Sequence, residues 1–399
     1  MDITITPKTL CGHIQAISSK SQAHRLLICA AFSDKCMRLI CPNTNEDIEA
    51  TADCLRALGA NIDRTENGYE VSPVTRLPHT ATLNCRESGS TLRFMLPIVG
   101  ALGIDTTFLL SGRLPERPLS PLWEEMERMG CRITRPTHTT IHCSGQLICG
   151  IYTIDGSVSS QFITGLLFAA ALLPEKTTVE ITGKTESKPY IQMTMDALAA
   201  FGVNCENYTV SSTRPFTSPG SIVVEGDWSN AAFFITACEL GSAITTHNLN
   251  PESAQGDRQI MPILKKLSSG NTEISCEDIP DLVPIMSVAA AAMHGATFSG
   301  ISRLRLKESD RVATVSNMLR QFGIDVRSDA NTMTVSPGRF TGCTVDAAGD
   351  HRIAMAAAIG ATIASGSVTI LGADCVKKSY PTFWDEYKKL GGQYEQHIR

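Results

Sequence analysis

Six short signatures, Leu58-Gly59, Met129-Gly130, Phe201-Gly202, Ser269-Gly270, Phe322-Gly323 and Leu390-Gly391, recur along the chain at steps of roughly 70 residues, with one shorter step from Gly270 to Gly323. Each closes an amphipathic stretch, where a glycine in left-handed geometry is the expected end of a helix. Ahead of the last five lie β-rich runs, "TTFLLSG", "TTVEITG", "AITTHNL", "ATFSGIS" and "SVTILGA". Ahead of all six, a polar run opens an Ala- and Leu-rich helix: "ISSKSQAHRLLICAAF" (17–32), Glu87 to Arg93, Ser159 to Phe162, Asp227 to Asn230, Asp278 to Asp281, and Asp350 to Arg352. The chain therefore reads as six copies of one α/β unit. The fourth copy is short between Asp227 and Asp281, which predicts trimmed strands or loops. A chain of 399 residues exceeds one ordinary domain. The Ser/Thr/Pro-rich stretch "VSSTRPFTSPGS" (210–221) falls between copies three and four, so two similar domains of three units each are expected.

A net charge of −5 argues against a general nucleic-acid binder. Fourteen cysteines are scattered without C-x2-C spacing, which reads as core thiols in a reducing compartment. The apolar run Leu26–Phe32 starts too far into the chain for a signal peptide, and no segment approaches the ~20 apolar residues of a membrane span. A cytoplasmic protein with no membrane partner is expected.

The opening helix carries Lys20 and Arg25 where its own dipole is already positive. The loops after the β-rich runs add Arg113 with Arg117, Lys184 with Lys188, Lys307 with Arg311, and Lys377 with Lys378. If these loops lie at equivalent ends of their units, cations and helix N-termini converge on a polyanion. Neither G-x-G-x-x-G nor G-x4-G-K-[ST] occurs, which disfavours nucleotide binding, and H-E-x-x-H is absent, so no metal is expected. For His24 and His351, packing or capping is at least as good a reading as catalysis.

The motifs "SKSQAHR" (19–25), "GSTLR" (89–93), "RLPERPLSPL" (113–122), "SSQF" (159–162), "SKPYI" (187–191), "IPD" (279–281), "KESDR" (307–311), "DHR" (350–352) and "KKSYP" (377–381) occur in the order found in the 5-enolpyruvylshikimate-3-phosphate (EPSP) synthase family, which the chain resembles over nearly its whole length. The resemblance implies an inside-out α/β barrel fold: two domains, each of three βαβαββ units, with helix N-termini facing the inter-domain cleft. The expected domains are 18–224 and 1–17 with 225–399, hinged near 15–20 and 220–227. It implies transfer of the enolpyruvyl group of phosphoenolpyruvate to the 5-hydroxyl of shikimate 3-phosphate by a monomer, with no cofactor.

By the same resemblance, Lys20, Ser21, Arg25, Ser159, Ser160, Gln161, Ser187, Tyr190, Asp281 and Lys307 hold shikimate 3-phosphate. Lys20, Gly89, Arg117, Gln161, Arg311, Arg352 and Lys378 surround phosphoenolpyruvate. Asp281 is the base, Glu308 the proton-relay carboxylate, and Lys20 sits between both substrates, whose negative charge would answer that of Lys20 and Arg25. Glu87-Ser88-Gly89-Ser90 departs from the family's Asn-Ala-Gly-Thr, and Arg303 stands where some members place an Asn. The competing readings are a UDP-sugar enolpyruvyl transferase, disfavoured by the "SKS" and "KESDR" signatures, and a non-catalytic anion-binding paralogue, disfavoured by the joint presence of Asp281, Lys20 and Glu308.

Overall fold

The computed structural model describes residues 1–211 and 216–397, so residues 212–215, inside the Ser/Thr/Pro-rich stretch, lie outside the described part. The chain divides into two compact units, Ser18–Glu225 and Met1–Ile17 with Gly226–Arg399. Twelve α-helices are described, two per repeat: α1 (Lys20–Ala31) and α2 (Glu46–Ala57), α3 (Gly89–Leu102) and α4 (Leu122–Arg128), α5 (Ser160–Leu172) and α6 (Lys188–Ala200), α7 (Trp228–Glu239) and α8 (Ile260–Ser268), α9 (Val283–Ala292) and α10 (Arg311–Gln321), α11 (His351–Ala361) and α12 (Phe383–Lys389). The six signature glycines all sit at positive φ, from 74° to 148°.

Each repeat builds one sheet. In the second, strand Thr80–Arg86 runs parallel to Asp105–Leu110 across α3, and the antiparallel hairpin Cys131–Thr137 and Thr140–Gly145 completes the order. A parallel pair needs such a helical crossover, whereas an antiparallel pair needs only a turn. The third and fifth repeats follow the same plan. The first takes its leading strand, Ser221–Val223, from the far end of its unit. The sixth takes a hairpin strand from the N-terminus, where Asp2–Thr6 lies between Val368–Leu371 and Gln393–His397.

The fourth repeat is the short one. Among the described residues its sheet contains only Cys11–Gln15 and Ala243–His247, and α8 leads directly into Thr272–Ser275 of the next sheet. The missing piece is the hairpin, and its loss accounts for the shortened glycine step.

The first helix of each repeat is the buried one. α9 and α11 are buried almost end to end, and the cores of the two units are formed around such helices. Close approach is sequence-encoded: a Cβ at Gly165 of α5 would stand 2.2 Å from the Arg93 carbonyl oxygen of α3, so only glycine lets these helices touch. Among the described residues, no helix is long and apolar enough to cross a membrane.

Candidate active site

In the unit Ser18–Glu225, α1 begins at Lys20 after an N-cap by Ser19, whose Oγ accepts from Gln22 N at 3.4 Å. The Lys20 ammonium is answered within the protein, since Nζ lies 2.8 Å from Asp47 Oδ2 in the first turn of α2. That corrects the expectation that only a substrate answers this charge. Arg25 is different. It is buried, and its guanidinium donates to neutral oxygens: Nε to Thr194 Oγ1 at 2.9 Å, Nη1 to Ser21 O at 2.6 Å, and Nη2 to Tyr190 O at 2.8 Å. Burial pushes its pKa down to about 10, and no carboxylate is among the groups that offset this. Ser21, Arg25 and Tyr190 are thus brought together.

His24 forms no part of that cluster's charge. Burial holds its pKa at about 3, and its Nδ1 pairs with Thr51 Oγ1 at 2.8 Å, which continues through Thr91 to Ser88 and ties α1, α2 and α3 together. These contacts agree with a packing role for His24.

A second cluster lies at the N-termini of α3 and α5. Gln161 accepts from Arg93 Nη1 at 2.6 Å and donates to Ser90 Oγ at 2.9 Å, while Arg93 Nη2 reaches Pro118 O at 3.0 Å. The Arg117 guanidinium fills the space beside Gly89, where a Cβ would lie 2.6 Å from Nη1. Glycine at this position therefore makes room for a protein cation as well as for any ligand. Ser159 caps α5, Ser160 is its buried first residue, and Ser187 precedes α6 in left-handed geometry with φ 56°.

In the other unit, Asp281 is the hub. It sits in a 3-10 turn, Pro280–Leu282, ahead of α9, and makes no helix cap; the expectation of a helix start at Asp281 is corrected by two residues. Its carboxylate meets Arg311 Nη1 at 2.8 Å, Arg352 Nη2 at 3.2 Å and Lys307 Nζ at 3.6 Å. Burial opposes the charged form, but Arg352, Lys307 and Arg311 outweigh it and hold the carboxyl well below the usual range. Burial in turn lowers Lys307 to about 8, against the pull of Asp281.

Arg311 is completely buried, with Nη2 on Glu308 at 2.7 Å and Nε on Asp350 Oδ2 at 3.0 Å. Asp350 also caps α11, its Oδ1 accepting from Arg352 N at 3.0 Å, and takes the Ser309 hydroxyl at 3.0 Å. Lys378 is buried on the short helix Ala373–Lys378. Half of the loop cations, Arg113, Lys184, Lys188 and Lys377, are exposed.

Sequence reasoning missed Asp47, Arg93, Asp350 and Asp257, which contact or adjoin the residues it singled out. Asp257 is buried beside the Ser229 hydroxyl, and burial together with the Asp281 charge raises it to about 7. Arg93 and Asp350 lie inside motif runs and Asp47 outside them, and an acid at the cap or in the first turn of a helix, as Asp350 and Asp47 are, is too ordinary to stand out. Among the described residues, no group of three or more His, Cys, Asp or Glu is placed to hold a metal ion.

The model of the EPSP synthase family, described as 3-phosphoshikimate 1-carboxyvinyltransferase, matches residues 5–387. The 3-phosphoshikimate 1-carboxyvinyltransferase of Clostridium kluyveri is 35% identical over 99% of this chain and 98% of its own. That of Clostridium perfringens is 34% identical over 98% of each. The solved EPSP synthase from Acinetobacter baumannii shares the fold with a TM-score of 0.79 at 22% identity, covering 100% of both chains. The enolpyruvyl transferase NikO from Streptomyces tendae does so with a TM-score of 0.78 at 16% identity, over 100% of this chain and 99% of that one.

Proposed function

This chain belongs to the EPSP synthase family, and we propose from that premise that it transfers the enolpyruvyl group of phosphoenolpyruvate to the 5-hydroxyl of shikimate 3-phosphate, releasing inorganic phosphate. The substrate oxygen attacks C2 of phosphoenolpyruvate while C3 gains a proton. The tetrahedral adduct then loses phosphate and a C3 proton, which restores the double bond. The chemistry needs a base at the hydroxyl, an acid at the methylene, and cations for two phosphates and two carboxylates.

The observation that carries the reading is Asp281, a carboxylate encircled by Arg311, Arg352 and Lys307. Held this way it is a poor base. Substrate anions compete for Arg352 and Lys307, and each cation drawn away raises the Asp281 pKa toward the ordinary range, so the base becomes competent when its substrates are in place. Glu308 relays the proton. Lys20, held by Asp47 in their absence, serves both substrates. Ser21, Arg25, Ser159, Ser160, Gln161, Ser187, Tyr190 and Lys307 hold shikimate 3-phosphate. Gly89, Arg117, Gln161, Arg311, Arg352 and Lys378 hold phosphoenolpyruvate.

The monomer is the working unit, since one chain carries every group named. A cytoplasmic setting is supported by fourteen cysteines that are all free thiols. Asp281→Asn tests the base: shikimate 3-phosphate affinity, read by calorimetry, should be nearly kept while turnover falls on the order of 10²–10⁴-fold. Turnover near the native rate would remove Asp281 from the chemistry.

A further inference from the structure

The fourth repeat lacks what protects the other five. In each of those, the second strand is covered by an antiparallel neighbour, and the strand beyond it carries charge: Asp63 and Arg64, Arg132 and Arg135, Glu206, Arg327, and Glu395. Charges on an outer strand discourage pairing with another chain. Strand Ala243–His247 has no strand on its far side among the described residues, and it contains no Asp, Glu, Lys, Arg or Pro.

Its backbone is set to receive a strand there. Ala243 N donates to Leu10 O and His247 O accepts from Ala16 N, so residues 243, 245 and 247 address Cys11–Gln15. Alternation turns the peptide groups of Ile244 and Thr246 the other way. The Cys238 thiol reaches Ile244 O at 3.0 Å, which leaves that carbonyl a second lone pair. Between them the exposed Thr245 stands on the outer face. Two other repeats place a threonine at this point of the second strand, and each bonds a threonine on the antiparallel neighbour: Thr297 to Thr334 at 3.1 Å and Thr369 to Thr4 at 3.0 Å; in a third, Thr178, two residues earlier on its strand, bonds Thr209 at 3.0 Å.

We propose that this edge pairs with the same edge of a second copy of the chain, antiparallel, about a two-fold axis at Thr245. The axis sets Ile244 against Thr246 of the partner subunit and Thr246 against Ile244 of the partner subunit, each pair exchanging both backbone hydrogen bonds. It also sets Thr245 against its own copy, which repeats the threonine contact of the other sheets. The strand carries no Asp, Glu, Lys or Arg, and the axis sets His247 against Ala243 of the partner subunit, so no like charges stand opposite one another. Two five-residue strands bury far less than the ~1,000 Å² of a stable interface, and the association is accordingly weak and reversible, leaving the monomer as the unit that turns over.

Sedimentation of the full chain from about 5 to about 500 µM should show the weight-average mass climbing by about 1.5-fold or more. Thr245→Lys, which sets two ammonium groups face to face on an exposed surface, should hold the mass at the monomer value with turnover per chain unchanged. Hydrogen exchange at the Ile244 and Thr246 amides should slow at the high concentration in the native chain alone. A native chain that stays monomeric throughout, or a Thr245→Lys chain that associates as the native one does, overturns the proposal.

Discussion

Lys20 and Arg25 stand five residues apart on α1 and solve the same electrostatic problem in different ways. Lys20 leans on Asp47, whereas Arg25 is buried on neutral oxygens with no acid to offset it. A buried guanidinium without a counter-charge is costly unless a ligand supplies one. The motifs made both cations legible in the sequence, because positive charge at a helix N-terminus breaks a local rule. They contain Asp350 but gave it no role, and they do not contain Asp47; acids at those places obey that rule. Lys307 gives this scale its prediction. Burial lowers its pKa to about 8, so the cation is present below that value and lost as pH rises through it. The kcat/KM for shikimate 3-phosphate should therefore fall about tenfold per pH unit above about 8. Lys307→Arg, permanently charged, should flatten that limb; an unchanged limb in the variant would assign it to another group.

Helix α11 shows how an element fixes a site. Asp350 caps its first turn and binds the Arg311 guanidinium of α10 and the Ser309 hydroxyl, so one side chain sets the spacing of Arg311 and Arg352 around Asp281. Asp350→Ala removes a cap worth about 1 kcal/mol and one of three carboxylates around a buried arginine, for a loss of about 3 kcal/mol in all. Asp350→Asn keeps the cap and should cost about half of that. Urea unfolding checks both, and equal losses for the two variants would show that the charge has no share in the effect. The helices themselves were readable from polar openings and glycine endings, which are local signals. The start of α9 was not, since Pro280 opens and Pro284 follows a 3-10 turn that the apolar run conceals.

At the scale of the whole chain, the sixfold repeat was legible because each copy ends on a glycine that must take positive φ. The shortened step announced that the fourth copy was trimmed but not which piece was lost. Nor could local pattern show that Asp2–Thr6 completes the last sheet, since strand pairing between the two ends of a chain leaves no local trace. Family membership and the Asp281 cluster converge on one reaction, and its most direct test is release of inorganic phosphate by the purified chain. With shikimate 3-phosphate and phosphoenolpyruvate, in excess EDTA, phosphate should appear in step with the enolpyruvyl ether. With a UDP-sugar in place of shikimate 3-phosphate it should not. Phosphate released only with the UDP-sugar, or from neither pair, would contradict the account.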